Sequence, residues 1–138
     1  MSLRKEGSTL NDTDVIKIII AGSRGFSDYE FLCAKMDFLL KNSERKICII
    51  GGEARGADTF GKRYAVERGY QYLSFPADWK AHGKSAGYIR NQEMGDNAEA
   101  LAAFWDGVSK GTKHMIDYAK GKGLTVRVIK YKPKSRPM

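Results

Sequence analysis

The sequence predicts an α/β domain in which helices cover both faces of a mainly parallel five-stranded sheet. The prediction rests on five short apolar, β-rich runs, on helical periodicity in the intervals between them, and on short connections. Strand–helix–strand units joined so closely are right-handed and lie in one sheet. At 138 residues the chain has the length of one ordinary domain, and no repeat or low-complexity linker divides it.

The first run, Val15–Ala21 (VIKIIIA), and the second, Lys46–Gly51 (KICIIG), are nearly continuous apolar blocks, as expected of strands covered on both faces. The third is Tyr70–Phe75 (YQYLSF) and the fifth Leu124–Lys130 (LTVRVIK). The fourth, Ala98–Trp105 (AEALAAFW), is alanine-rich and reads as helix on propensity alone. Its place in the alternation makes it a strand. In the first interval, Ser27-Asp28-Tyr29-Glu30 reads as a capping box with Ser27 at the N-cap. Tyr29, Leu32, Met36 and Leu39 then form one apolar stripe and Phe31, Ala34 and Phe38 a second. This predicts a helix buried over a wide face, and that face also offers a surface for homo-oligomerisation. The second helix, about 57–68, places Ala57, Phe60, Tyr64 and Ala65 on one side and ends at Gly69, a left-handed cap. The last, about 112–120, carries Met115, Ile116 and Ala119 and stops at Gly121 and Gly123. The domain is therefore expected over 15–130, with a flexible polar segment at 1–14 and a basic tail at 131–138.

Composition narrows the function. Hydrophobic residues are 42% and charged residues 29%, which suits a packed core. Two cysteines are too few for a disulfide scaffold, and no His/Cys cluster has metal-ligand spacing, so no metal is expected. Cys48 in a strand and Cys33 in a helix read as small core residues. The longest apolar run is far too short to span a bilayer, so a soluble, cytoplasmic protein without a membrane partner is the expectation. The formal net charge of +8 is not spread evenly: seven basic residues and no acid follow Asp117, leaving 17 basic against 16 acidic residues before them. Such an end reads as a solvated, solubilising tail, with contact to a polyanion as the alternative.

In open parallel sheets, ligands bind beyond the carboxyl ends of the strands, so the strand-to-helix loops are the place to look. After the first strand comes Gly22-Ser23-Arg24-Gly25-Phe26, where glycines permit close backbone approach and Arg24 can grip phosphate in two-pronged fashion. It reads equally as a tight turn. After the second comes Gly51-Gly52-Glu53-Ala54-Arg55-Gly56-Ala57-Asp58, richer in glycine than a turn requires. Asp58 there either caps the helix or holds ribose hydroxyls. The third connection, Pro76 to Asn91, reads as a long binding loop or lid ending in a short helix near 86–94. Lys84 and Arg90 are its phosphate candidates, with Asn91 beside them; Trp79 is its anchor, and His82 a surface histidine rather than a general base. After the fourth strand, Trp105-Asp106-Gly107-Val108-Ser109-Lys110-Gly111-Thr112 opens a helix with hydroxyls and backbone N–H groups suited to phosphate. Trp105 reads as core or as a stacking surface. Neither a Walker loop nor a dinucleotide fingerprint is present.

Taken in order, Gly22-Ser-Arg, Gly51-Gly-x-x-Arg-Gly-Ala-Asp58, Phe75-Pro-Ala-Asp-Trp79, Gly83-Lys-x-Ala-Gly87, Arg90-Asn-x-x-Met94 and Phe104-Trp-Asp-Gly-x-Ser-Lys-Gly-Thr112 resemble the YspA, cpYpsA-related SLOG family within the SMF/DprA-LOG superfamily. The resemblance spans about residues 15–130. It implies a Rossmann-like sheet in the order 3-2-1-4-5 with a nucleotide or nucleotide-derived ligand at the strand ends. Gly22, Ser23, Arg24, Gly51, Gly52, Arg55, Gly56, Asp58, Lys84, Arg90, Asn91, Asp106, Ser109, Lys110, Gly111 and Thr112 would bind it. The LOG branch contains phosphoribohydrolases with the signature P-G-G-x-G-T-x-x-E. Here Gly111-Thr112 is kept, Ser109-Lys110 leads into it, and the catalytic Glu position is Met115. A thioether cannot move a proton as a carboxylate does, and the acids available in its place are Asp58, Asp78 and Asp106. The expectation is thus nucleotide binding, with N-glycosidic cleavage as the alternative and single-stranded DNA binding a third reading.

Overall fold

A computed structural model describes residues 14–52 and 56–132. The polar segment before them, the tail after Lys132 and Arg55 lie outside the described residues. Five parallel strands, β1 (Val15–Gly22), β2 (Lys46–Gly51), β3 (Gln71–Ser74), β4 (Ala100–Trp105) and β5 (Thr125–Lys130), form one sheet in the order 3-2-1-4-5. The helices are α1 (Tyr29–Leu40), α2 (Ala57–Arg68), α3 (Trp79–His82), α4 (Ala86–Asp96) and α5 (Lys110–Gly121). The chain turns back at β1, so β2 and β4 flank it and the loops after β1 and β4 meet at the switch point.

The two apolar blocks read as buried strands are buried: Ile18, Ile19, Ile20, Ile49 and Ile50 are almost wholly covered. Alternate residues serve opposite faces. Ile18, Ile20, Ile49, Ala102 and Phe104 join Leu32, Met36, Tyr64 and Ala65 in one core. Ile19, Ile50, Leu101 and Ala103 join Met94, Met115, Ile116 and Ala119 in the other. β4 is a strand despite its alanines because the paired sheet overrides propensity at its centre. Both core layers need its small residues.

Three expectations are corrected. Helix α1 is capped by Asp28, whose carboxylate accepts from the Phe31 amide at 3.0 Å, and not by Ser27. Both residue types cap well, and the carboxylate adds its charge to the favourable helix end. The wide buried face of α1 is also narrower than expected. Leu32 and Met36 are buried, but Phe38 is 63% exposed and Ala34 is exposed, with the Lys41 ammonium 4.3 Å from the Phe38 ring. Finally, the long connection after β3 is helical from Trp79 onward: α3, a 3-10 turn at Gly83–Ser85, and α4. Asp78 starts it by accepting from the Ala81 amide at 3.0 Å, and Gly83, at φ 56°, turns the chain into the next helix.

The end of the sheet away from the loops is stapled by Arg45. Its guanidinium donates to both oxygens of Glu99, at 2.9 and 3.0 Å, and to the Val15 carbonyl at 2.7 Å. Across the helices, Asp37 accepts from Tyr64 at 2.6 Å and from Arg68 at 3.0 and 2.9 Å, tying α1 to α2.

Candidate functional site

At the carboxyl ends of the strands a cleft of about 890 Å³ opens between the loop after β1, the end of β2, the α3–α4 segment and the start of α5. Its size falls within the range of small-molecule sites. The loop after β1 forms one wall because glycine lets it lie close to its neighbours. A Cβ on Gly22 would meet the Phe104 carbonyl and lie 2.6 Å from the Ala57 methyl. Ser23 is buried; its amide donates to the Phe104 carbonyl at 3.0 Å and its hydroxyl accepts from the Asp106 amide at 3.1 Å. The loops after β1 and β4 are thereby joined, and Arg24 at the tip stays exposed beside the cleft.

The loop after β4 is held from within. Asp106 accepts from the Val108 and Ser109 amides at 2.9 and 2.8 Å and from the Ser109 hydroxyl at 2.8 Å. Burial works against its ionised form, but those donors and the Ser23 hydroxyl outweigh it and hold the carboxyl below its ordinary range. Asp106 is thus a brace and does not line the cleft. Trp105 is half-buried, and its indole N–H donates to the Ser109 carbonyl at 3.1 Å. With Ser109 engaged by Asp106, no side chain caps α5, and the turn Ser109-Lys110-Gly111-Thr112 faces the cleft. Helices α1 and α3 are each closed by an aspartate, whereas α2 and α4, like α5, have no side-chain cap.

From the opposite wall Arg90 reaches back to β2. Its Nη1 donates to the Gly52 carbonyl at 2.6 Å and its Nε to Asn91 Oδ1 at 3.1 Å. Gly52 must be glycine for this, since a Cβ there would lie 2.8 Å from Arg90 Cδ. Asn91, only 6% exposed, donates through Nδ2 to the Gly111 carbonyl at 3.2 Å and contacts His114 Nδ1 at 3.2 Å.

Of the residues singled out from sequence, Gly22, Ser23, Arg24, Gly52, Lys84, Arg90, Asn91, Ser109, Lys110, Gly111 and Thr112 all border this cleft. Gly51 does not: its α-carbon lies under the Tyr72 ring, where a Cβ would touch the phenol. Gly56 is the N-cap of α2, packed against the Ser23 and Arg24 carbonyls. Asp58 lies in the first turn of α2, and its side chain is outside the described residues. Asp78 is taken by the α3 cap, and His82 is exposed and does not line the cleft. Met115 is buried and forms part of the cleft floor.

Sequence reasoning missed Pro76, Ala77 and Tyr88 as cleft residues and took Trp79 for an anchor. Trp79 is 55% exposed and Tyr88 45%, both lining the cleft. Aromatics shortly after Pro76 and directly after Gly87, in a connection already read as a binding loop, were the available signal. Tyr88 is backed by the His114 ring at 4.4 Å. The charge of the site is one-sided: Arg24, Lys84, Arg90 and Lys110 border it, and among the described residues no Asp or Glu does.

Comparison with known proteins agrees with this architecture. Residues 16–82 match the family described as YspA, cpYpsA-related SLOG family, covering the strands and loops from β1 to α3. The chain is similar to the Gene 61 protein of Mycobacterium phage D29, 34% identical over 116 residues, which is 80% of this chain and 93% of that protein. Its fold is similar to that of DNA processing protein A (DprA) from Streptococcus pneumoniae, with TM-score 0.67, 18% identity and 85% of this chain covered. The match takes in 51% of that chain, so this protein spans about half the length of DprA. The structure of TM1055, a structural-genomics target, superposes with TM-score 0.60 and 17% identity over 80% of this chain and 72% of its own. At those identities the two structures speak to the fold alone, a parallel Rossmann-like sheet. With motif order, family match, phage relative and fold in agreement, the chain belongs to the YspA, cpYpsA-related SLOG family.

Proposed function

We infer that the cleft binds a phosphorylated nucleotide or a nucleotide-derived small molecule. The observation that carries the reading is the convergence of four cations, an uncapped helix start, two exposed aromatic rings and no described acid on one concave site. Phosphate suits the first part: guanidinium and ammonium groups neutralise it, while the α5 amides and the Thr112 hydroxyl supply directed donors. A base suits the rings, since stacking on an aromatic face is worth about 1–3 kcal/mol. Arg24, Lys84 and Lys110 have no acidic partner among the described residues, so a ligand would not have to break an ion pair to reach them.

Binding is preferred to glycosidic cleavage because the motif position of the LOG branch's catalytic Glu is held here by the buried Met115, and because Asp78 and Asp106 are spent on caps and turns, the Asp58 side chain lying outside the described residues. The test is calorimetric titration with AMP in phosphate-free buffer. Arg24→Ala and Thr112→Ala are each expected to weaken binding about 5- to 30-fold, the worth of about one hydrogen bond. Unchanged affinity in both variants would remove this reading of the cleft.

A further inference from the structure

The side chain of Asn91 has both ends determined. Its Nδ2 points at the Gly111 carbonyl, which can only accept, and its Oδ1 at Arg90 Nε, which can only donate. The amide therefore has one orientation, and its second N–H is directed at His114 Nδ1, 3.2 Å away. That nitrogen must accept, so the imidazole is neutral with its proton on Nε2. A continuous polar chain follows, from the Gly52 carbonyl through Arg90 and Asn91 to Gly111 and His114, joining β2, α4 and α5 beneath the cleft.

The geometry points to Asn91 and His114 as positioning residues: they set Arg90 and the start of α5 for an anionic ligand only while the His114 ring is neutral. This rests on the binding reading above and assigns Asn91, a ligand candidate by sequence, a place behind the ligand rather than on it. A proton on Nδ1 would confront the Asn91 N–H with a second donor. The amide could relieve that only by turning over, which would set its oxygen against the Gly111 carbonyl and its NH2 against Arg90 Nε. Both wall contacts would be lost together. The groups facing His114 are the Tyr88 ring and Asn91 amide from α4 and, on α5 itself, the Tyr118 ring and the Asp117 carboxylate. Asp117 is engaged by Lys113 at 2.7 Å. Burial outweighs the pull of Asp117 and lowers the tendency of the ring to charge, in keeping with a neutral role.

The consequence has a distinctive sign. An extra positive charge near an anion site should strengthen binding on acidification; here it weakens it. The experiment has two parts. The first is histidine side-chain nitrogen NMR on the free protein, which has only one other histidine, the exposed His82. It should show His114 as the Nε2–H form near neutral pH. The second compares AMP affinity of the wild type with that of His114→Gln, whose amide oxygen accepts without titrating. At a pH where the NMR shows His114 charged, the wild type should have lost about tenfold more affinity than His114→Gln, the scale of one or two hydrogen bonds. Asn91→Leu should bind AMP weakly at every pH and abolish that difference. A proton on Nδ1 at neutral pH, or equal or tighter wild-type binding once His114 is charged, would overturn the assignment. The tautomer measurement uses no ligand, so it judges the polar chain even if Arg24→Ala shows that AMP does not use the cleft.

Discussion

Gly56 shows how single residues set the geometry of the cleft. It caps α2 at φ 78°, and a Cβ there would strike the Ser23 carbonyl and lie 2.9 Å from the Arg24 carbonyl. Only glycine takes that backbone conformation without strain and leaves room for the loop after β1. Gly56→Ala should therefore destabilise the protein by about 1–3 kcal/mol, read by chemical denaturation. A loss within about 0.5 kcal/mol would mean the two loops are not so closely packed. At this scale the sequence was legible wherever chemistry alone marks a residue: Arg24, Lys84, Lys110 and Thr112 stood out as phosphate groups and all reached the cleft. What it hid was direction. Asp106 had the right chemistry for ribose or catalysis, yet three donors from its own loop claim it. His114 drew no notice, because its partner Asn91 lies 23 residues away on another helix.

Among the elements, α1 and the α3–α4 segment taught most about reading the chain. In Ser27-Asp28-Tyr29-Glu30, two residues offer a cap, and a pattern of types cannot choose between registers one residue apart. The structure chooses Asp28. Asp28→Ala should then cost about 1 kcal/mol of stability and Ser27→Ala no more than about 0.5 kcal/mol. Thermal melts of the two variants check this, and the reverse order would restore the capping box. The segment after β3 reads from sequence as a long loop or lid with a short helix only near 86–94, because no apolar stripe at helical spacing marks its first half. Its helicity depends on tertiary burial of Ala86 and Met94 and on the Asp78 cap, of which only the last leaves a local trace. β4 was legible for the opposite reason: alternation of elements outranked the helical preference of alanine.

For the whole molecule, strength and chemistry sit at opposite ends of the sheet. Arg45 and Glu99 tie β2 to the start of β4 at one end, while glycines, cations and an uncapped helix gather at the other. Topology was legible from the order of the runs, because right-handed crossovers leave few arrangements open. The charge was legible too, but not its use: the excess lies after Asp117, whereas the four cations of the cleft all lie before it. The most direct measurement is mass spectrometry of small molecules retained by the protein purified under mild, phosphate-free conditions, followed by thermal-shift titration with nucleotides. A retained or stabilising phosphate-bearing nucleotide, lost in Arg24→Ala, is the expected result. A protein that carries nothing, and whose melting temperature no nucleotide moves, would contradict nucleotide binding at the strand ends.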